Sequence, residues 1–351
     1  MIVSPSPKLR PLSIGELLDR AIRLYRRNFL TFVGIVALVQ VPLTLVQLVI
    51  SLATFTDPAT LAADPMAIFS DNWLSVLLTF LIVIASFFLV QGLATAAVTR
   101  AVADEYLGGK VDWFEAYRKI GNSWLSLVGA LFWAGIISLG LFIWFLVPCV
   151  GWLTGIGIIF FFSMVIVPML APVIVLEGQS ATEAWRRAWS LARRRFWWVL
   201  GFVFILYLFN QLLITGPAML ATLLLQFVAG TPLEAANYSS AYMLQTIVQT
   251  AVTLFFSLIY LPLQLTAITL MYFDLRVRTE GFDLALLAEG MAGGTGGALT
   301  AVPSTRGEQL VTSSELGNFV VVSIVGFLIS AVISGVFGLL GMGLLADGGG
   351  F

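Results

Sequence analysis

Apolar residues along this chain fall in long unbroken runs, separated by short polar and mostly basic segments. Seven runs stand out, at about 29–52, 73–99, 124–147, 152–176, 196–228, 243–273 and 319–345. Each exceeds the roughly 20 helical residues needed to cross about 30 Å of hydrocarbon. The runs are continuous rather than alternating, which predicts membrane helices and not barrel strands. The run from Phe196 to Val228 is too long for one plain span, and Pro217 interrupts it. A span to about Thr215, a break and a short helix at the outer surface are expected there.

Ahead of the first run the period changes. Ile14, Leu17, Leu18, Ala21 and Tyr25 recur on one helical face, and Glu16, Asp19, Arg20, Arg23 and Arg27 on the other. Such a helix is expected to lie in the headgroup region, apolar face down, before the chain turns into the bilayer. The same construction returns. Glu16-Leu17-Leu18-Asp19-Arg20-Ala21, then Arg26-Arg27-Asn28-Phe29 and Gly34, aligns at one constant offset with a second stretch. That stretch is Glu183-Ala184-Trp185-Arg186-Arg187-Ala188, then Arg193-Arg194-Arg195-Phe196 and Gly201. A looser copy places Trp113, Ala116, Trp124 and Gly129 at the positions of Trp185, Ala188, Phe196 and Gly201. Each copy opens on a capping-box pattern: Ser13/Glu16, Asp112/Glu115 and Ser180/Glu183. The returning spans also echo one another, Ser86, Gln91 and Thr95 matching Ser163, Pro168 and Pro172, then Ser257, Pro262 and Thr266. The expected unit is an interfacial elbow helix, an outward span and an inward span, repeated three times about an axis along the membrane normal.

Composition narrows the function classes. Of 351 residues, 59% are hydrophobic and 11% charged, against about 25% charged in soluble domains. The mean hydropathy is +0.99. A soluble core cannot hide that much apolar surface, so lipid is the expected solvent. The net charge of −1 gives no sign of a nucleic-acid partner. The chain has no histidine, which removes histidine bases, histidine metal ligands and His-assisted nucleophiles. Its one cysteine, Cys149, cannot form an internal disulfide and has no base beside it in the sequence.

The charges then orient the spans. Lys8, Arg10, Arg20, Arg23, Arg26 and Arg27 precede the first run, and no cleavable signal peptide is expected there. Arg100, Lys110, Arg118 and Lys119 lie between the second and third runs. Arg186, Arg187, Arg193, Arg194 and Arg195 lie between the fourth and fifth. Arg276, Arg278 and Arg306 follow the sixth, completing all 18 basic residues on the side of the N-terminus. The opposite loops carry Asp57, Asp64, Asp71 and Glu234. The positive-inside rule places the N-terminus in the cytoplasm and, with seven spans, the C-terminus outside.

At three places the chain resembles a known family. Leu12-Ser13-Ile14-Gly15-Glu16-Leu17-Leu18-Asp19-Arg20-Ala21, followed by Leu24-Tyr25-Arg26-Arg27-Asn28-Phe29, is similar to the opening of the bacterial membrane domain of glycerophosphoryl diester phosphodiesterase. Val175-Leu176-Glu177-Gly178 with Glu183-Ala184-Trp185-Arg186-Arg187-Ala188-Trp189 resembles that family's central motif. The run from Tyr272-Phe273-Asp274-Leu275-Arg276 to Val277-Arg278-Thr279-Glu280-Gly281-Phe282-Asp283-Leu284 resembles its closing motif. The similarity covers about residues 9–290 and implies a six-helix membrane unit. Full-length relatives join that unit to a catalytic barrel using histidines and metal-binding carboxylates. This chain lacks histidine and has no room for a barrel of roughly 250 residues, so the hydrolase activity does not carry over.

Candidate chemistry is sparse. No Asp, Glu, Lys or Arg falls in the middle of a run, where pumps and ion-coupled carriers place one. Gln40, Gln47, Gln91, Asn210, Gln211, Gln249 and Gln264 are the neutral polar groups at depth, read first as interhelical hydrogen bonders. Gln91, Gln264 and Asn210 are the candidate linings of a polar cavity. Prolines 42, 148, 168, 172, 217 and 262 are read as shaping packing. Arg26, Arg27, Arg186, Arg187, Arg193, Arg194 and Arg195, with Trp197 and Trp198, are the candidates for anionic headgroup binding. Glu177, Asp104 and Glu105 are expected to be solvated partners of nearby arginines. No metal or cofactor site is expected.

The expected layout is a membrane domain over 1–290, a flexible Gly/Ser/Thr-rich cytoplasmic linker over 291–318, and an added span with a short outer tail over 319–351. Phe282 to Glu289 reads as a short amphipathic helix docking on the elbows. Gly326, Ser330, Ser334 and Gly338 form a small-residue ridge for packing on the unit or on another copy. The function expected is a non-catalytic scaffold or accessory subunit of the bacterial cytoplasmic membrane, engaging anionic lipid and a membrane or cytosolic partner. The alternatives are a transporter or flippase-like path for a lipid or small amphiphile and, last, a lipid-modifying enzyme.

Overall fold

The computed structural model describes residues 10–53, 73–109, 112–229, 238–292, 297–301, 303, 312 and 315–328. Every regular element among them is helical. Six helical stretches are long and apolar enough to cross a membrane: Phe29–Ala53, Val76–Tyr106, Ser123–Phe145, Val150–Glu177, Phe196–Val228 and Ser240–Glu280. They match the first six apolar runs. The seventh run is described only as far as Leu328, in the helix Glu315–Leu328, so Ser330, Ser334 and Gly338 lie outside the described residues.

In chain order the helices are α1 (Ile14–Arg27), α2 (Phe29–Ala53), α3 (Trp73–Phe88), α4 (Thr95–Tyr106), α5 (Trp113–Ile120) and α6 (Ser123–Phe145). There follow α7 (Val150–Phe161), α8 (Val167–Glu177), α9 (Ala181–Arg193), α10 (Phe196–Asn210), α11 (Gly216–Ala229) and α12 (Tyr238–Glu280). The last are α13 (Phe282–Ala292), α14 (Gly297–Thr300) and α15 (Glu315–Leu328). Three π-helical turns, Leu89–Ala94, Phe162–Ile166 and Gln211–Thr215, join α3 to α4, α7 to α8 and α10 to α11. The last corrects the expectation at Pro217. The helix is not broken there; the wider π turn ends just before Gly216-Pro217 and absorbs the missing proline N–H, so helix continues on both sides.

The chain divides into two compact units, Met1–Leu131 with Met169–Pro303, and Phe132–Pro168 with Ser304–Phe351. In the first unit α12 is the axis, packing against α1, α2, α4, α9, α10 and α11. Its 43 residues make a rod of about 65 Å, roughly twice the hydrocarbon thickness. Cross-helix polar contacts tie it in: Gln40 Nε2 donates to Ser257 Oγ at 2.7 Å, Tyr25 Oη to the Ile259 carbonyl at 2.7 Å, and Tyr260 Oη to the Leu206 carbonyl. Large apolar side chains such as Leu30, Val49, Phe80 and Leu223 are exposed on the helices, as lipid-facing residues are.

The three elbow helices form where the caps predict. Ser13 and Glu16 close a full capping box on α1. Ser180 Oγ accepts from the Glu183 amide on α9, and Asp112 accepts from the Phe114 amide on α5. Their lengths are 14, 8 and 13 residues, the middle one shortest. What covers their apolar faces differs from the expectation. Leu17, Ala21 and Tyr25 are buried, and α1 packs on α12, α2 and α4. Ala184, Ala188, Leu191 and Ala192 of α9 are buried likewise. The apolar face therefore rests on protein instead of on lipid, and each large side chain so covered contributes about 2 kcal/mol.

In the second unit α15 lies against α7. The Gly157 amide donates to Ser323 Oγ at 2.8 Å, and Phe161 meets Phe319 at 5.8 Å between ring centroids. Gly157 is required there, since a Cβ would stand 2.1 Å from the Phe319 carbonyl oxygen. Gly326, the one described member of the small-residue ridge, faces Ile156 of the same chain.

Candidate functional site: a charged cap on the sixth span

Two helices of the first unit end in the same way. α8 ends at Glu177 and is followed by Gly178 at φ +69°; α12 ends at Glu280 and is followed by Gly281 at φ +64°. A glycine in the left-handed region stops the helix and turns the chain away. Each glutamate thereby projects from a helix end at which further segments converge.

Arg187 of α9 fills the space between them. Its Nε and one terminal nitrogen bind Glu177 at 2.9–3.1 Å, while the terminal nitrogens bind Glu280, one at 2.7 Å. Tyr272 Oη donates to Glu177 Oε1 at 2.7 Å, and Arg276 Nε donates to Glu280 at 3.2 Å. The side chains of Glu177, Arg187, Arg276 and Glu280 are all at most 6% exposed. Two arginines against two glutamates leave the cluster neutral. Each buried ion costs several kcal/mol to desolvate, which pairing of this geometry offsets. Burial alone would lower the Arg187 pKa; its hydrogen bonds to Glu280 and Glu177 outweigh it and hold the guanidinium charged.

A second clasp sits one helical turn away. The Leu12 amide donates to Asp274 Oδ1 at 2.7 Å, and Arg278 donates to the Leu12 carbonyl at 2.5 Å and to Asp274 Oδ2 at 2.6 Å. Both backbone groups of Leu12 are thus satisfied by one i,i+4 ion pair of α12. Phe273 stacks between Tyr106 and Phe282, at 5.3 and 5.8 Å. Arg20 lies 5.0 Å over the Tyr106 ring and Arg278 lies 5.3 Å over Trp198. The run Tyr272 to Phe282 therefore holds the segment before α1, the elbow α9 and the helix α13 on two turns of α12. α13 docks on the end of α12 through Phe282.

The expected headgroup residues separate. Arg26, Arg27, Arg186, Arg194, Arg195 and Trp197 are exposed, while Arg193 and Trp198 are half-buried. Arg27 reaches Glu105 at 3.4 Å. Arg187 is withdrawn from any headgroup by its two carboxylates, which corrects its place in that set. Glu177 is likewise a correction: it is paired as expected but fully buried, not solvated. Asp104 meets Lys119 at 2.9 Å and Arg100 at 3.2 Å, and that hydrogen bond raises the Lys119 pKa. Gln91 lies half-buried in a π turn, Gln264 half-buried on α12, and Asn210 half-buried at the end of α10. Among the described residues no three His, Cys, Asp or Glu side chains gather as a metal would need. Every acid in the cluster is neutralised by a base, an arrangement suited to fastening segments. The roles of Tyr272, Asp274, Arg276, Arg278 and Glu280 were not read from the sequence; the doubled Glu-Gly, at 177–178 and 280–281, was the available signal.

No curated protein and no solved structure matches the chain. One family does, over residues 141–293, a stretch that holds both Glu-Gly ends, α9 and all of α12 and omits the opening motif at Leu12 to Phe29. The chain is a multi-pass membrane protein whose residues 141–293 match the family described as the membrane domain of glycerophosphoryl diester phosphodiesterase, as its central and closing motifs imply.

Proposed function

We propose that the protein is a non-catalytic membrane scaffold or accessory subunit that engages anionic lipid through its elbows and a membrane or cytosolic partner. In this reading the three elbow-span-span segments are copies of one unit, and the basic ends face the cytoplasm of a bacterium. The observation that carries it is the division of labour among the elbow arginines. Arg187 is spent on the buried cluster, while Arg26, Arg186 and Arg195 remain exposed, as does the Trp197 ring. Exposed guanidinium groups flanking apolar spans attract anionic headgroups at about 1 kcal/mol each, and an interfacial indole anchors the same level.

The test is lipid retention in nanodiscs of phosphatidylcholine with and without phosphatidylglycerol. The full chain is expected to keep phosphatidylglycerol preferentially, and Arg26→Gln/Arg186→Gln/Arg195→Gln to lose that preference with its fold intact. Equal retention by both proteins would overturn the lipid reading.

A further inference from the structure

Arg276 makes more bonds than the charge cluster needs. With Glu280 taken by its Nε, its terminal nitrogens donate to three backbone carbonyls: Leu299 at 2.9 Å, Ala301 at 3.0 Å and Ala298 at 3.4 Å. These carbonyls close the C-terminal end of α14, a single turn spanning Gly297–Thr300. The other end of the same turn is held too. Glu289 of α13 accepts from the Gly297 amide at 2.6 Å and from the Ala298 amide at 2.9 Å. A carboxylate at the amino end and a guanidinium at the carboxyl end complement both poles of the turn. Ala298 is buried, and the Phe282 ring lies 4.5 Å beneath the Arg276 guanidinium.

The charge balance says what the Arg276 site accepts. Glu177 and Glu280 already neutralise Arg187 and Arg276, so an anion on the remaining donors would bring uncompensated charge into a buried place. Backbone carbonyls supply acceptors without charge. We infer that the terminal nitrogens of Arg276 form a peptide-binding clasp whose occupant is the chain's own segment 297–301. That segment is a latch fixing the start of the C-terminal extension to the charged cap. It lies inside the stretch read from composition as flexible linker, and just beyond the end of the family match at residue 293. Because Arg276 also holds Glu280, and Glu280 holds Arg187, releasing the latch strips acceptors from the cluster that anchors α9. The extension and the third elbow are thereby coupled.

Hydrogen exchange on the full chain in detergent tests this. The reporters are the amides of Gly297, Ala298 and Ala301, all hydrogen-bonded in the latched state. Arg276→Lys keeps a cation beside Glu280 but loses the fork that reaches the carbonyls. Glu289→Ala frees the other end without touching the buried charges. Each variant is expected to speed exchange at the three reporters at least tenfold, with the Leu12 amide unchanged in Glu289→Ala. Unchanged reporter exchange in Glu289→Ala would overturn the latch, even if Arg276→Lys disturbs the whole of α12.

Discussion

Arg187 binds Glu177 through two parallel hydrogen bonds, Nε and a terminal nitrogen each on a carboxylate oxygen, in a place where neither side chain is more than 3% exposed. Breaking one side of such a pair strands the other charge. Arg187→Met is expected to cost about 3–5 kcal/mol, read as a lowered midpoint of thermal unfolding in detergent. Adding Glu177→Gln to Arg187→Met removes the stranded charge, leaves Glu280 paired with Arg276, and should recover part of that loss. A single variant as stable as the parent would show the cluster to be solvated.

The Leu12 clasp makes a local prediction. Asp274→Ala leaves the Leu12 amide without its acceptor, and Arg278 without the carboxylate that orients it. A hydrogen bond to a charged group is worth about 1.5–3 kcal/mol. Faster exchange is expected at the Leu12 amide, with early proteolytic cleavage before Ser13, while α2 and α10 keep their protection. Protection at Leu12 that survives the change would show that other contacts hold the segment.

Gly157→Ala probes the second unit. The new methyl would meet the backbone of Phe319 at 2.1 Å, and backbone cannot swing aside as a side chain does. In a Cys149→Ser background, Ile156→Cys with Gly326→Cys is expected to cross-link readily under mild oxidation. Adding Gly157→Ala should reduce the yield several-fold. An unaltered yield would mean that α15 does not rest on Gly157.

Acid titration probes the exposed cap of the first elbow. Hydrogen bonds from the Ser13 backbone, then from the Arg10 and Ser13 side chains, lower the Glu16 pKa to about 2 from an ordinary 4.5. The sign follows from the lowered value. The contribution of Glu16 to α1 is complete above about 4.5 and disappears as pH falls through about 2. A carboxyl-carbon NMR titration of Glu16 should show a midpoint near 2, and Ser13→Ala should move it upward. A midpoint near 4.5 in the parent chain would mean the capping box is open.

The spans were legible because an apolar run of that length has only one stable form in lipid. The elbow starts were legible because Ser13, Asp112 and Ser180 act through groups within three residues of themselves. What covers an amphipathic face was not legible. The pattern of Leu17, Ala21 and Tyr25 states that one side is apolar, and a bilayer or the flank of α12 satisfies it equally. Glu177 was misread for a related reason. Arg187 is near in sequence, but Tyr272, Arg276 and Glu280 reach the cluster from α12, and distant contributions decide whether a charge is buried. The π turns also left no local mark that separates them from ordinary helix.

α12 runs from Tyr238 to Glu280 as one helix, through Pro262, and carries the charged cap on its last two turns. It is therefore a lever with its load at one tip. A slight change of lean in the bilayer, whether from membrane thinning or from a neighbour pressing on the middle, would be magnified into sideways travel at Glu280. The clasped segments would have to follow that travel or let go.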